Sequence, residues 1–380
     1  MGISLLTRKT AVATGLALAL GSTYGADLEV KVGLAAPLTG GSAAYGKDCE
    51  NGARIAIEEA NAAHLSIGGK TAHFTLISED DQGDPRVGVQ VAQKLVDQGV
   101  SVVIGHANSG VSIPASGVYA KAGVPMITPS ASAPALTSQG LDNVFRAIPN
   151  DVQNASLAGT YAVKKLGAKR IAIIDDREAF GQGEADEFEK AVKAAGGTVI
   201  SREYTTEQAV DYSAQLTKFK SVDADLVYFG ALDAQSANLV KRMKQLNLKA
   251  NFLGGGAVVT QQFLTTGGKY VEGARAFEYG EPLARRASGR EFAQKFKAKF
   301  GTDYHAYAPF SYDATWAAVK AMQASGSNDP KTVTAALHKL SFEGITGKIS
   351  FDSKGDVSNP ISTLYEVKSG KWEVIDVAGK

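Results

Sequence analysis

The stretch Val102-Val103-Ile104-Gly105-His106-Ala107-Asn108-Ser109-Gly110-Val111-Ser112 passes from four apolar or small residues into a run of small hydroxyl- and amide-bearing ones. Its first part, Val102–Gly105, reads as a strand buried on both faces. An amphipathic stretch at 113–121 follows the loop 106–112. The order then repeats: a strand at 124–127 leads into Thr128-Pro129-Ser130-Ala131-Ser132-Ala133-Pro134. Strand, loop and helix in this order form the unit of a parallel sheet covered by helices.

Working outward, further strands are predicted at 30–34, 74–78, 170–174, 199–204, 226–230, 252–254 and 273–277. Amphipathic stretches at 51–62, 87–96, 154–166, 185–195 and 234–246 separate them. The pattern restarts after Arg146-Ala147-Ile148-Pro149-Asn150. The chain is then mostly helical over 288–340 and closes with strands at 348–351, 363–367 and 372–375, the last two joined by the turn Ser369-Gly370. With 380 residues, the chain exceeds one ordinary core. The reading is α/β: two doubly wound parallel-sheet lobes, 26–149 plus 280–358 and 150–279 plus 359–380. Three crossings near 149, 279 and 359 make a hinge, and a ligand cleft lies between the lobes. Ligands of open α/β sheets sit beyond the carboxyl ends of the strands.

Composition excludes several classes. Apolar residues make up 44% and charged ones 21%, and the net charge is +1 with both signs mixed. No basic face for nucleic acid and no polybasic segment for anionic lipid is present. Arg8 and Lys9 precede an apolar run at 11–20 and then Gly21-Ser22-Thr23. That arrangement fits a secretory signal peptide over residues 1–25, cleaved after Gly25 or Ala26. The run is shorter than the about 20 apolar residues of a membrane span. The mature chain is therefore expected outside the cytoplasm, without direct membrane insertion. One cysteine, Cys49, permits no intramolecular disulfide and lies in a helix-like stretch as a buried thiol.

Catalytic templates are not met: there is no Gly-x-Ser-x-Gly and no phosphate loop. Gly181-Gln182-Gly183 follows a strand, but Asp186 stands where a dinucleotide fingerprint has glycine. Glu79-Asp80-Asp81-Gln82-Gly83-Asp84 lacks calcium-loop spacing and reads as a solvated loop with Pro85 opening a helix. His64, His73, His106, His305 and His338 show no metal-ligand spacing, and His106 reads as a hydrogen-bonded loop residue. The two small-residue loops at 106–112 and 128–134 each place hydroxyls and free N–H groups at a helix start. Such a place binds an anion without a cation; the same serines are equally good helix caps.

Several segments in order carry a family resemblance: Pro37-Leu38-Thr39-Gly40 with Ala44-Tyr45-Gly46, Asp80-Asp81 with Asp84-Pro85, Val103-Ile104-Gly105-His106, Pro125-Met126-Ile127-Thr128-Pro129-Ser130-Ala131-Ser132, Phe180-Gly181-Gln182-Gly183, and Ser350-Phe351-Asp352 with Lys354-Gly355-Asp356. The chain resembles the periplasmic branched-chain amino acid-binding proteins of ABC transporters, of the type I periplasmic-binding fold. The resemblance implies a monomeric, non-enzymatic periplasmic protein without cofactor or metal, which hands a small carboxylate to a membrane permease. It implies that Ser109, Ser130 (mainly through its backbone) and Ser132 hold the carboxylate, with Tyr45 at the cleft mouth and Tyr307 on the ligand side chain. Three positions depart from the family. Gly256 stands where amino-acid binders carry an acid for the ligand ammonium, and Phe180 and Leu232 replace hydroxyl-bearing tyrosines. Either Asp233 accepts the ammonium, directly or through water, or the ligand is an amine-free aromatic or branched keto acid. Asp233 also reads as the N-cap of the helix at 234–246.

Overall fold

Every residue of the strands Val102–Gly105, Ile171–Asp175 and Leu226–Gly230 is buried, as strands covered on both faces require. The computed structural model describes residues 1–2 and 27–379; beyond its first two residues, the signal peptide read over 1–25 lies outside them. The first sheet comprises β1 (Leu28–Ala36), β2 (Ser66–Ile67), β3 (Lys70–Asp80), β4 (Val102–Gly105), β5 (Met126–Thr128) and β6 (Val144–Arg146), in the order β2-β3-β1-β4-β5-β6. All pairs are parallel except the short β2–β3. The second sheet comprises β7 (Ile171–Asp175), β8 (Val199–Tyr204), β9 (Leu226–Gly230), β10 (Asn251–Gly254) and β11 (Arg275–Tyr279). After the ribbon β12 (Ser341–Glu343) and β13 (Lys348–Ser350), the antiparallel β14 (Ser362–Lys368) and β15 (Lys371–Ala378) complete it as β15-β14-β11-β10-β9-β7-β8.

Alternate residues of each strand face different helices. In the first sheet Val102, Ile104 and Ile127 pack under α1 (Ala43–Ala62), α10 (Ala308–Ser325) and α11 (Pro330–Leu337), whereas Val103 and Met126 pack under α2 (Pro85–Asp97) and α3 (Ser109–Ala122). In the second, Ile171 and Ile173 meet α4 (Asp151–Lys164) and α5 (Ala179–Ala194). Ala172 and Ile174 meet α6 (Ser213–Ser221), α7 (Asp233–Gln245) and α8 (Gln261–Gly267). Helix α9 (Ala287–Phe300) brings Phe292 and Phe296 against Ile55 and Ala308. The period-2 alternation is what makes one strand serve two layers.

The structure corrects the sequence reading in four places. Helix α3 starts at Ser109, not at 113, because Asn108 is extended and its carbonyl already accepts from Val111 and Ser112. Helix α1 starts at Ala43 rather than 51. A strand, β6, occupies Val144–Arg146, where only a boundary was read. Most consequentially, the loop 128–134 does not open onto an α-helix: a single 3-10 turn, Thr137–Gln139, ends at Gly140 with φ 74°. Pro129 and Pro134 remove donors and bias the residues before them away from the helical region.

The serine loop is held instead by a buried charge. Arg146 is fully buried, its Nε donating to Asp356 Oδ1 at 2.8 Å. Its guanidinium also donates to the carbonyls of Ala131 and Ala133 and to Thr137 Oγ1. Asp356 accepts in addition from Thr137 and from Asn150 Nδ2, whose own side chain caps α4. Removing one partner of a buried pair leaves an uncompensated charge. Arg146→Met with Asp356 intact is expected to cost about 3–5 kcal/mol in urea unfolding; a loss below about 1 kcal/mol would reduce the pair to the level of a surface bridge.

Candidate functional site

Each parallel core has one point where the strand order reverses: between β1 and β4 in the first sheet, and between β7 and β9 in the second. Crevices of open α/β sheets form at these points, because the flanking connections leave on opposite faces. The segments after β4, β7 and β9 carry Ser109, Asp176 and Leu232, and all three line one cavity between the sheets. Tyr45, Ser130 and Tyr307 complete its first wall; Glu178, Phe180 and Glu207 join Asp176 and Leu232 on the second.

On the first wall, Ser109 opens α3, so its N–H and that of Gly110 lie among the donors that a helix leaves unpaired. Ser109 Oγ accepts from Ala133 N at 3.2 Å, joining the two small-residue loops. Ser130 Oγ donates to Ala107 O at 2.9 Å, so its hydroxyl is committed. Tyr307 is set by Asp48, whose carboxylate accepts the backbone N–H groups of His305, Ala306, Tyr307 and Ala308. Tyr45 lies 5.7 Å from the Tyr307 ring and donates to Ala257 O across the cleft at 3.1 Å. Burial pushes the Asp48 carboxyl up, against those N–H groups.

On the second wall Asp176 is buried, and its Oδ1 accepts from Glu178 N at 3.0 Å. Burial, with neighbouring acids adding to it, pushes Asp176 up to about 7. Burial also raises Glu178. Gly181 lets α5 approach β9: a Cβ there would lie 2.3 Å from Gly230 O. The Gly181-Gln182-Gly183 segment is thus a packing device.

Three residues singled out from the sequence are not on the cavity wall. Ser132 is fully buried behind it, its Oγ against Asp151 and Tyr279 with no aligned hydrogen bond. Asp233 is not a cap: Leu232 is the N-cap, and Asp233 is the first helical residue of α7. Its Oδ2 accepts from Thr260 Oγ1 at 2.6 Å and lies 3.3 Å from His305 Nε2, an ion-pair distance across the cleft. Burial would raise Asp233 and lower His305, but their mutual attraction, together with the Thr260 hydroxyl on Asp233 and the Asp48 and Glu278 charges facing His305, outweighs it, holding Asp233 below and His305 above their ordinary values. Gly256 donates its N–H to Glu184 Oε1 at 2.7 Å, and a Cβ on it would lie 2.2 Å from the Tyr279 ring.

Other candidates resolve as structure. His106 is buried with Nδ1 2.7 Å from Asp81 Oδ2 and Nε2 3.0 Å from Tyr119 Oη. Asp81 is therefore not part of a solvated loop, although Asp84 does cap α2 ahead of Pro85. Cys49 is buried, and burial pushes its thiol up. Among the described residues no group of three or more His, Cys, Asp or Glu is arranged to hold a metal, and no helix is long and apolar enough to cross a membrane. Sequence reasoning missed Arg146, Asp176 and Glu184. The signal for Glu184 was present: it falls with Gly181, Ala185 and Phe188 on the buried stripe of α5, where an acid is rarely left without purpose.

Comparison with known proteins identifies the family of the fold. A family model described as periplasmic binding protein matches residues 29–371. A Leu/Ile/Val-binding protein homolog 1 of Brucella suis is 36% identical over 369 residues, 96% of each chain. An amino acid binding protein of Pseudomonas aeruginosa is 34% identical over 95% of this chain and 96% of its own. The leucine binding protein LivK of Thermotoga maritima superposes with a TM-score of 0.84 at 26% identity, covering 92% of this chain and 98% of the other. A solute binding protein of Rhodopseudomonas palustris in complex with benzoate has the same fold, with a TM-score of 0.82 at 23% identity over 92% and 96%. With two parallel sheets facing each other across one cavity and a family match over nearly the whole described length, the chain belongs to the periplasmic binding proteins, as a solute-binding protein of ABC-transporter type and not an enzyme.

Proposed function

We propose that the chain captures an apolar α-amino acid in the periplasm and presents it to the membrane permease of an ABC importer. The observation that carries this is the opposition of the two walls. One offers the start of α3 with Ser109 and Ser130, and the other offers Asp176, Glu178 and Glu207. A helix start favours a carboxylate, and an acidic wall favours a cation. Tyr45, Tyr307, Phe180 and Leu232 lie with them and suit an apolar side chain. A zwitterion matches this order of charges. An aromatic or branched keto acid would bring an anion toward the acidic wall with nothing to offset it. The names of the Brucella and Pseudomonas relatives point the same way.

In this reading the lobes, 26–149 plus 280–358 and 150–279 plus 359–380, close about the crossings near 149, 279 and 359. The contacts Tyr45–Ala257 and His305–Asp233 then belong to the closed form. Saturating ligand is expected to compact the ligand-stripped protein in small-angle scattering and raise its melting temperature by mass action; superimposable curves would refute closure. Calorimetry on stripped protein should find leucine, isoleucine or valine bound at least about 100-fold more tightly than the matching 2-keto acid, and the reverse order would establish the amine-free ligand. Ser109→Ala removes a charge-assisted hydrogen bond of about 1.5–3 kcal/mol, so affinity should fall about 10-fold or more with the fold intact. Binding within twofold of the parent would exclude Ser109 from the site.

A further inference from the structure

Beside Tyr307 lies a set of polar side chains that the cavity wall does not use. Asp151 and Glu184 are fully buried. One oxygen of each is engaged: Tyr279 Oη donates to Asp151 Oδ1 at 3.1 Å, and Gly256 N donates to Glu184 Oε1 at 2.7 Å. The other oxygen of each, Asp151 Oδ2 and Glu184 Oε2, has no hydrogen-bond partner. Ser132 Oγ lies against Asp151 and Tyr228 Oη against Glu184, both without an aligned hydrogen bond. Buried polar groups are normally satisfied, so two neighbouring carboxyls with an unpaired oxygen each, and two hydroxyls beside them without aligned partners, describe a place built for something else. Two carboxylates and two hydroxyls suit a compact cation with several N–H donors, which is a primary ammonium.

The backbone around the cluster is shaped to admit it. A Cβ on Gly255 would lie 1.8 Å from Glu184 Oε1, and one on Gly256 would meet the Tyr279 ring. At the position where the family resemblance expects an acid, the backbone is bare, and a carboxylate arrives there from α5 instead. We propose that Glu184, with Asp151 beside it, accepts the ammonium group of the ligand and makes the site select amines. This rests on the amino-acid reading above and assigns the charge that reads the amine.

In the empty protein, burial and the repulsion between the two carboxyls favour their protonated forms. Burial and the charge of Asp151 push Glu184 up, and burial pushes Asp151 up to about 6. Glu278 and Asp176 add to the negative charge facing Glu184, and Arg146, committed to Asp356, is the cation that faces Asp151, with Glu187 opposing it. Tyr228 and Tyr279 face the pair as neutral hydroxyls. An incoming ammonium favours the charged carboxylates, lowers their affinity for protons and expels a proton to the buffer. Groups protonated when free and ionised when bound make affinity rise with pH up to their free value.

The test is calorimetry of leucine, isoleucine, valine, phenylalanine and the matching 2-keto acids in two buffers of different ionisation heat. The proteins are the stripped parent, Glu184→Gln and Asp176→Asn. Glutamine keeps an acceptor for Gly256 N, so the fold should hold, which circular dichroism melting checks. The parent should bind its best amino acid with release of up to about one proton at pH 7. Glu184→Gln should weaken that ligand by about 30-fold or more, abolish the release and leave keto acids unaffected or tighter. The His305–Asp233 pair is present in every variant, so its protons cancel in the difference. Amino-acid binding within threefold of the parent and with the same proton count in Glu184→Gln overturns this inference alone. Loss confined to Asp176→Asn moves the role to Asp176. A parent that binds keto acids but no amino acid defeats the underlying reading instead. Should Glu184→Gln not fold, Asp151→Asn carries the test, since undiminished proton release in it also overturns the proposal.

Discussion

A guanidinium cannot be buried unless the protein replaces its water, and the burial of Arg146 organises everything around it. Its partners come from two separated segments: Asp356 ahead of β14, and the serine loop with its 3-10 turn, through the carbonyls of Ala131 and Ala133 and the Thr137 hydroxyl. Through Asp356 the same charge reaches Asn150, the cap of α4. The serine loop, the exit from the first sheet and the start of the second sheet's first helix are thereby fixed to one another. A pair this deeply buried gains little net stability over an apolar substitute. What it supplies is position: a loop too rich in proline to fold as a helix still keeps one shape.

That fixed loop forms part of a wall whose counterpart differs from it in kind. The first wall is made from backbone and hydroxyl groups at the start of α3; the second carries carboxyls, two of which, Asp176 and Glu178, are pushed up by burial. The same strand order in each sheet, reversing at β1/β4 and β7/β9, brings them face to face. Two like folds thus produce unlike surfaces. The asymmetry lies in the few residues that follow each strand.

The architecture was legible because it rests on periodicity. Unbroken apolar runs such as Leu226–Gly230, separated by amphipathic stretches, allow few arrangements other than a covered parallel sheet. The boundaries were less legible where capping and proline chemistry compete with composition. Asn108 is a preferred capping residue by type, but Ser109-Gly110-Val111-Ser112 has the small polar composition of a loop and hid a helix beginning at Ser109. Asp233, a good cap by residue type, is instead the first helical residue, and its carboxylate meets Thr260 and His305, which are distant in sequence. The site residues followed the same division. Ser109, Ser130, Tyr45 and Tyr307 were named through motifs and line the cavity. Glu184 carries no motif, and its meaning depends on Gly256, which lies on another strand's loop.

Selectivity and proton release are connected through the buried acids Asp151 and Glu184. On the proposed assignment, the closed empty protein keeps Asp151 and Glu184 desolvated, each with an open oxygen. Holding a carboxyl without a partner costs about 1–3 kcal/mol, more if it is charged. That cost stands in the empty protein and is eased there by protonation. A ligand bearing an ammonium removes it; a ligand without one leaves it standing. Discrimination of this kind comes from a penalty built into the protein and not from an extra contact to the favoured ligand. The same groups that reject an amine-free acid give up their proton to admit an amine, so that selectivity and the pH dependence of binding report on each other.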